Sequence, residues 1–312
     1  MGKLETLKYL LRYDKRGLAV ALFNHLISTG ITDILSDRVF LNITYWLRFG
    51  KKLDLDNPVT FNEKLQWLKI YNRNPWYSSL VDKYDVKTYI KNKIGEQYVI
   101  PTYGVWDNFS EIDFSKLPNA FVLKCTHDSG SIVIVKDKEN LDMDKAKNIL
   151  MKGLSRNLFY WGREWPYKNV KPRIIAEKYM EDSPDSKELT DYKLMCFNGK
   201  VKCSFTCTNR YSKEGLKVTF YDTDWEKMPF ERHYPAETIV QEKPKSYDEM
   251  ITLAEELADK IPFVRIDFYE IKGRPYFGEV TFFPGNGLEE FTPEEWDETL
   301  GSWIELPTKT TV

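Results

Sequence analysis

Residues 263–287, FVRIDFYEIKGRPYFGEVTFFPGNG, constrain the fold more than any other stretch of the chain. Residues 263–271 and 274–282 are rich in aromatic and β-branched residues and are separated only by Lys272 and Gly273. This is the pattern of a β-hairpin with a two-residue turn. The Pro-Gly-Asn-Gly sequence that follows predicts a tight turn of the backbone after the second strand.

Side-chain alternation collects charged residues on one face of each of these two strands. Arg265 and Asp267 share a face of the first strand, and Glu279 and Thr281 share a face of the second. If the pairing register brings the two faces together, two carboxylates and a guanidinium converge. Neighbouring carboxylates repel each other, and a hard cation such as Mg²⁺ relieves this, with nucleotide phosphates filling its remaining coordination positions. The alternative is a hairpin that simply presents one charged face to water.

The composition is that of a folded globular protein without a bulk charge. The chain has 312 residues, which favours two or three lobes, and its 45 basic and 47 acidic residues give a net charge of −2. This excludes the broad basic field of a nucleic-acid binder. Four cysteines without a C-x-x-C pair and only three histidines argue against a zinc site or a disulfide framework, so we expect a cytoplasmic protein.

The first 80 residues have a helical pattern. Thr60 with Glu63 three positions later is a capping box at the start of one helix, and a further helix is expected over residues 80–94 with Lys83 and Lys87 on one face. Residues 18–27 are apolar but too few to span a bilayer. They form either a helix packed on the core or an amphipathic helix at the inner face of the membrane.

Strands dominate after residue 98. Lys124 ends a buried-type strand and is followed by a turn of small polar residues, THDSGS, whose backbone N–H groups can approach an anion closely, although hairpin turns also have this composition. Asn198-Gly199 marks a second hairpin, and helices are expected over residues 141–158 and 247–260. We therefore expect an α+β protein with a helical region at 1–80, a small lobe at 81–178 and a C-terminal lobe at 179–312.

Six segments, in order, resemble the TupA-like (teichuronopeptide-biosynthesis-like) family of the ATP-grasp superfamily. They are TFNEKLQWLK, VDKYDVKTYI, VLKCTHDSGS, GREWPYKNVKPRIIAEKYM, DYKLMCFNGK and GEVTFFPGNG. The last part also resembles the R-x-D-F … E-x-N-x-x-P-G pattern of D-alanine–D-alanine ligases. The resemblance implies an ATP-grasp fold, in which two α+β lobes clamp ATP, and a place among the proteins of surface-polysaccharide biosynthesis.

The resemblance also implies roles for individual positions. Residues that match the nucleotide-binding positions, through phosphate contacts, the adenine hinge or the ribose side, are Lys124, His127, Ser129, Gly130, Glu177, Lys178, Tyr179, Met180 and Asp191. Residues that match cations acting on the transferred phosphoryl group are Arg265, Lys193 and Arg210. Asp267, Glu279 and Thr281 match the Mg²⁺ ligands, with Thr281 standing where many ATP-grasp ligases have an asparagine.

The implied reaction is an ATP- and Mg²⁺-dependent ligation in which a carboxylate becomes an acylphosphate and an amine then attacks it. The acceptor is expected to be a uronic acid, an amino acid or a related polysaccharide precursor. A sugar kinase on the same fold and a glycosyltransferase using Asp222-Thr223-Asp224 as a metal site stay open, as does a nucleotide-binding scaffold without turnover. Residues 1–80 together with Arg163, Glu164, Trp165 and Tyr167 are candidates for the acceptor side; alternatively this aromatic loop packs the lobes together.

Overall fold

The structure, a computed structural model, describes residues 15–182, 189–209 and 215–309. Its helices are α1 Lys15–Ser28, α2 Asp37–Phe49, α3 Phe61–Tyr71, α4 Tyr77–Val81, α5 Val86–Lys93, α6 Met143–Leu154, α7 Phe159–Gly162, α8 Tyr247–Ala258 and α9 Glu295–Ser302. Its strands are β1 Thr102–Trp106, β2 Phe121–Cys125, β3 Ile132–Val135, β4 Ile174–Lys178, β5 Asp191–Phe197, β6 Lys200–Thr208, β7 Lys217–Tyr221, β8 Glu231–Arg232, β9 Phe263–Ile271, β10 Arg274–Thr281 and β11 Phe291–Thr292. Short 3₁₀ segments include Trp165–Tyr167 and Pro284–Gly287.

The strands form two main antiparallel sheets. The small sheet has the order β1-β4-β2-β3, and the large sheet has the order β10-β9-β5-β6-β7. Strands β11 and β8 make a separate short ladder. Helices packed against antiparallel sheets are the α+β class, as expected from the sequence.

Each main sheet has its own hydrophobic core. Helix α6 covers the small sheet through Ala146 and Leu150, which pack with Phe121 and Leu123. Helix α8 covers the large sheet, and the same core includes the buried residues of α2, α3, α4 and α5. The helices of the N-terminal part are therefore packed in one apolar layer with β9, the strand that carries Arg265 and Asp267.

Local sequence chemistry explains most element boundaries. The capping box at the start of α3 is confirmed, since Glu63 N–H donates to Thr60 Oγ1 and Thr60 N–H donates to Glu63 Oε2. Asn198 and Gly199 both have positive φ, as the two-residue turn between β5 and β6 requires. The single helix expected over residues 80–94 is wrong. Asp82 accepts backbone hydrogen bonds from Tyr84 and Asp85 at 2.8 Å each, which ends α4 and begins a new turn before α5.

The helix expected over residues 141–158 is shorter, because Asp142 caps α6 through Lys145 N–H and the helix ends at Leu154. Among the described residues, none of the helices combines the length and apolar character needed to cross a membrane.

Candidate functional site

The hairpin of β9 and β10 contains a bulge that decides which side chains meet. Next to the turn the register is constant, with Arg274 opposite Ile271 and Phe277 opposite Phe268. That register, continued, would place Glu279 opposite Ile266, on the face away from Asp267. The register shifts between Phe277 and Glu279, so Glu279 instead lies opposite Asp267, and Thr281 opposite Arg265. A bulge adds one residue to one strand, so the side chains after it point to the opposite face of the sheet. The bulge at Gly278 therefore brings the charged groups to one face.

Gly278 also leaves space for the backbone of the neighbouring strand. A Cβ atom at this position would lie 3.1 Å from the Asp267 carbonyl oxygen and 3.3 Å from the Tyr269 ring. The glycine therefore lets the bulged strand approach its partner closely.

Arg265 is the centre of the charged cluster. Its Nε donates to Asp267 Oδ1 at 2.7 Å, and its Nη2 donates to Asp267 Oδ2 at 2.8 Å, Glu279 Oε1 at 2.8 Å and Thr281 Oγ1 at 3.0 Å. Burial alone would lower the pKa of Arg265, but the charges of Asp267 and Glu279 raise it above its ordinary value. The guanidinium is thus permanently charged and fixed in orientation.

Lys193 on β5 adds a second cation, because β5 pairs with β9 so that Lys193 lies opposite Asp267. Its Nζ is 2.5 Å from Asp267 Oδ2 and 3.5 Å from Asp191 Oδ2. Burial would raise the pKa of Asp267, yet the charges of Arg265 and Lys193 outweigh this and hold it below its ordinary value. Asp267 is therefore ionised at neutral pH.

The facing wall is built from the small sheet and α5. Glu177 on β4 is 5 % exposed and is held by two lysines, with Lys124 Nζ 2.5 Å from Oε2 and Lys87 Nζ 2.5 Å from Oε1. Burial would raise the pKa of Glu177, but these two lysines hold it below its ordinary value. Val122 lies directly across from Glu177 in the ladder, and Ile134 lies across from Val122, so one face of this sheet combines an apolar surface with this charged trio.

The small polar loop between β2 and β3 is held by a lysine from the turn before α5. Lys83 Nζ donates to the Asp128 carbonyl at 2.5 Å, and Lys83 N–H donates to the Thr126 carbonyl at 2.9 Å. The Ser131 hydroxyl donates to the Asp128 carboxylate. Ser129 and Gly130 are exposed at the tip, where Gly130 has a φ of 95°.

These elements enclose a cavity of about 490 Å³ between the two sheets. Its charged lining residues are Lys83, Lys124, Asp128, Asp191, Lys193, Asp267 and Glu279. Ser129, Gly130, Ile132, Tyr269 and Gly278 also line it. Residues proposed from the sequence for phosphate contact, for transfer and for metal binding thus meet at one cavity.

Other described residues implied by the resemblance do not line this cavity. His127 is 3 % exposed, its Nε2 lies 3.1 Å from the Arg156 carbonyl oxygen, and burial lowers its pKa. Lys178 is the last residue of β4, and Tyr179 and Met180 follow it. None of the three lines this cavity, and Lys178 N–H donates to the Pro101 carbonyl at 2.9 Å. The Thr281 hydroxyl donates to Glu279 Oε1 at 3.3 Å and accepts a hydrogen bond from Arg265 Nη2 at 3.0 Å. Arg210 lies outside the described residues.

Two charged residues of the cavity, Lys83 and Asp128, were not assigned from the sequence, and neither was Lys87 as a partner of Glu177. The i, i+4 spacing of Lys83 and Lys87 was the available signal, but a helical face does not reveal that one lysine holds a loop and the other a strand.

Arg163 does not lie where a carboxylate clamp must be. It is 1 % exposed, donates through Nη2 to the Thr32 carbonyl at 2.7 Å and stacks 4.5 Å over the Phe40 ring. Of the two alternatives for this aromatic loop, the contacts of Arg163 fit packing rather than binding of an acceptor carboxylate. The Arg163 guanidinium attaches the loop after α7 to the N-terminal helical region.

The cluster around Arg265 contains oxygen donors of the kind that Mg²⁺ prefers. No group of three or more His, Cys, Asp or Glu side chains suited to a metal occurs within the described ranges. Asp267 and Glu279 nevertheless supply two adjacent carboxylates, and the Glu279 side chain is 42 % exposed toward the cavity. Since Mg²⁺ is commonly held by one or two carboxylates with phosphate and water oxygens completing its shell, the residues fit this ion when a polyphosphate is bound.

The family model described as TupA-like ATPgrasp matches residues 63–305. A search of curated proteins found no match. Among solved structures, D-alanine–D-alanine ligase from Bacillus anthracis complexed with ATP matches with 19% identity over 65% of this chain and 55% of that chain, at a TM-score of 0.38. The corresponding ligase from Helicobacter pylori matches with 14% identity over 74% and 60%, at a TM-score of 0.40.

The ATP-grasp ligase PsnB, complexed with a minimal precursor, Mg and ADP, matches with 9% identity over 83% of this chain and 68% of that chain, at a TM-score of 0.39. The chain thus spans little more than half the length of the D-alanine–D-alanine ligases that it matches.

Proposed function

Because the chain belongs to the TupA-like ATP-grasp family, we propose that it is an ATP- and Mg²⁺-dependent ligase that converts a carboxylate into an acylphosphate and then into an amide. The observation that carries the proposal is that Asp267 and Glu279, both held by Arg265, line one side of a cavity that has Lys83 and Lys124 on the other. Neighbouring carboxylates bind a divalent cation, and lysine ammonium groups bind phosphates. A polyphosphate with its metal ion needs both at once.

Positioning and charge neutralisation supply most of the catalysis in phosphoryl transfer. Lys83, Lys124 and the exposed N–H groups around Ser129 and Gly130 bind the phosphates, and Arg265 stabilises charge on the transferred phosphoryl group. The apolar face of Val122, Ile132 and Ile134 receives the base; Ile132 is 48 % exposed and Ile134 is 56 % exposed. Glu177 lies in the same row as Val122 and Ile134 and accepts a hydrogen bond from an amine on the base.

Asp267 and Glu279 would hold the Mg²⁺, which neutralises phosphate charge when bound. Lys193 holds Asp267 in the orientation seen here, at 2.5 Å, and keeps it ionised. Arg265 keeps Asp267 and Glu279 in place by donating hydrogen bonds to both carboxylates and offsetting their negative charge. These residues therefore act on position and charge rather than as covalent nucleophiles.

The acceptor class follows from the surface-polysaccharide setting of the family, so we propose a uronic acid or an amino acid as the activated carboxylate. We also propose that the protein acts in the cytoplasm, where ATP is supplied. Within the described residues, Asp222 accepts backbone N–H groups of Asp224 and Glu226 at 2.9 and 2.8 Å, a turn geometry that accounts for the Asp-Thr-Asp sequence without a metal. We therefore do not favour the glycosyltransferase alternative.

The test measures ADP release from ATP and Mg²⁺ with uronic acids and amino acids as carboxylates, adding hydroxylamine to trap any acylphosphate as a hydroxamate. A ligase produces ADP and hydroxamate together, and both depend on the carboxylate. A kinase instead produces a stable phosphorylated sugar without an amine. Release of a nucleoside diphosphate from a UDP-sugar in the absence of ATP would contradict the proposal.

A further inference from the structure

Helix α1 packs on the core through one side and exposes leucines on another. Ile27 is buried, and the centroid of the Phe23 ring lies 5.7 Å from that of the Phe40 ring on α2. Leu22 and Leu26, one helical turn apart, are exposed. Because a helix at a protein surface ordinarily directs polar residues to water, the exposed side of α1 has the character of a contact surface.

The exposed apolar surface continues into the turn after α1. The 3₁₀ turn Ile31–Ile34 packs back against α1, and within it Ile31 is 58 % exposed and Ile34 is 89 % exposed. We call Leu22, Leu26, Ile31 and Ile34 the N-terminal apolar patch. Single exposed apolar residues are ordinary on protein surfaces, whereas a cluster on consecutive elements marks an interaction site.

Polar atoms beside this patch are already hydrogen-bonded within the chain. The hydroxyls of Ser28 and Thr29 donate to backbone carbonyls one turn earlier, at 2.7 and 3.0 Å. The Thr32 carbonyl accepts from Arg163 Nη2 at 2.7 Å. An apolar medium offers polar groups no hydrogen-bond partner, so groups that are bonded internally enter it at a lower cost in free energy.

The part of the chain that carries the patch is basic, whereas the rest is acidic. Residues 1–52 contain nine basic and four acidic residues, a net charge of +5. Residues 53–312 contain the other 36 basic and 43 acidic residues, a net charge of −7. Arg16 is exposed near the start of α1, and Asp33 is an exposed acid within the turn. An apolar surface in a basic segment matches a lipid surface with anionic headgroups.

We propose that the N-terminal apolar patch docks the protein on an anionic membrane surface. Ile31 and Ile34 enter the boundary between headgroups and acyl chains, and the positive charge of this region attracts the headgroups. Both isoleucines protrude from a turn, and a fluid lipid surface accommodates protruding side chains without a preformed groove. The inference is independent of the ligase chemistry, because the patch does not line the cavity between the two sheets.

The experiment measures flotation of the full-length protein with two kinds of vesicle, phosphatidylcholine alone and phosphatidylcholine with about 30 % phosphatidylglycerol. We expect wild type to float with the anionic vesicles, and at least about 10-fold less with phosphatidylcholine alone or in about 0.5 M salt. Ile31→Glu/Ile34→Glu should lower the partition coefficient on anionic vesicles at least about 10-fold.

Ile239→Glu/Val240→Glu is the matched control. These residues are 79 % and 51 % exposed, close to the values for Ile34 and Ile31, but they lie in a loop of the C-terminal lobe. The control adds the same two charges and should float like wild type. Asp33→Asn keeps both isoleucines, removes an exposed negative charge between them and should bind the anionic vesicles more tightly.

Flotation of Ile31→Glu/Ile34→Glu at the wild-type level would overturn the inference, because another part of the chain would then hold the lipid. An equal loss in the Ile239→Glu/Val240→Glu control, or weaker binding by Asp33→Asn, would also overturn it. So would a wild type that stays in solution with both kinds of vesicle. Sedimentation velocity then shows whether a second copy covers the patch, as a dimer that Ile31→Glu/Ile34→Glu converts into a monomer.

Discussion

Charged side chains are paired in opposite ways on the two walls of the cavity. On the large-sheet wall one arginine is shared by two acids, since Arg265 donates to both Asp267 and Glu279. On the small-sheet wall one acid is shared by two lysines, since Glu177 accepts both Lys87 and Lys124. The first arrangement leaves acid in excess and the second leaves base in excess. The cavity is therefore polarised across its width, which matches a metal ion on one side and phosphates on the other.

The walls also differ in rigidity. Arg265 and Asp267 lie on β9, which is paired on both sides in the large sheet, and Glu279 on the edge strand β10 is held by Arg265. Lys83 and Asp128 instead belong to a turn and a loop whose tip, at Ser129 and Gly130, is exposed. Removing a charge should therefore damage stability more on the large-sheet wall and nucleotide affinity more on the small-sheet wall.

The largest effect is expected from Arg265→Met. It leaves Asp267 without its bidentate partner in a buried position, which should lower the free energy of unfolding by about 3–5 kcal/mol. It should also reduce ADP release by at least about 1000-fold. Urea unfolding and steady-state ADP release measure the two effects. Arg274→Met, an exposed arginine of the same hairpin, is the control, and a stable Arg265→Met protein would contradict the central role of the guanidinium.

Glu279→Gln should separate activity from stability. The amide oxygen can still accept from Arg265, and the side chain is 42 % exposed, so the free energy of unfolding should change by less than about 1 kcal/mol. The lost negative charge should lower ADP release by about 100-fold or more. Mg²⁺ titration of activity should show a weaker dependence on the ion in the variant. Unchanged activity at every Mg²⁺ concentration would remove Glu279 from the metal site.

Lys124→Met and Lys87→Met test the small-sheet wall as a pair. Both lysines contact Glu177, but only Lys124 lines the cavity. We expect Lys124→Met to raise the KM for ATP about 10- to 100-fold, and Lys87→Met to raise it several-fold less. Calorimetric titration with ATP gives the same ranking without turnover. Equal losses in both variants would mean that the lysines act only through Glu177.

The smallest effect concerns pH. Glu164 has a folded-state pKa raised to about 7, so between its ordinary value near 4.5 and pH 7 the folded state binds more protons than the unfolded state. Stability must therefore fall as pH rises through this window, by an amount on the order of 1 kcal/mol. Glu164→Gln should flatten this part of the curve. Melting temperatures between pH 4.5 and 7.5 measure the slope, and an identical slope in the variant would contradict the shifted pKa.

Local patterns in the sequence predicted the elements well. The capping box of α3, the Asn198-Gly199 turn and the closing hairpin each depend on neighbouring residues alone, and each is found as expected. The helix over residues 80–94 failed because a side-chain contact of Asp82 competes with helix hydrogen bonds, a choice that spacing does not reveal.

The candidate site was predictable in composition but not in geometry. Asp267 and Glu279 were identified because side chains alternate between the two faces of each strand. This alternation does not tell which face of one strand lies on the same side as which face of the other. That depends on the extra residue at Gly278, whose only trace in the sequence is a glycine within a strand. The sequence left acceptor binding and packing both open for Arg163, because its partners, Thr32 and Phe40, are more than a hundred residues away.

The bulge in the closing hairpin has a practical consequence for protein engineering. Anyone who grafts this pair of strands onto another scaffold by counting outward from the Lys272-Gly273 turn would obtain a stable hairpin with Glu279 directed into the apolar layer. A graft that is aligned instead on Arg265 and Thr281, with the glycine retained, carries the ion-binding geometry with it.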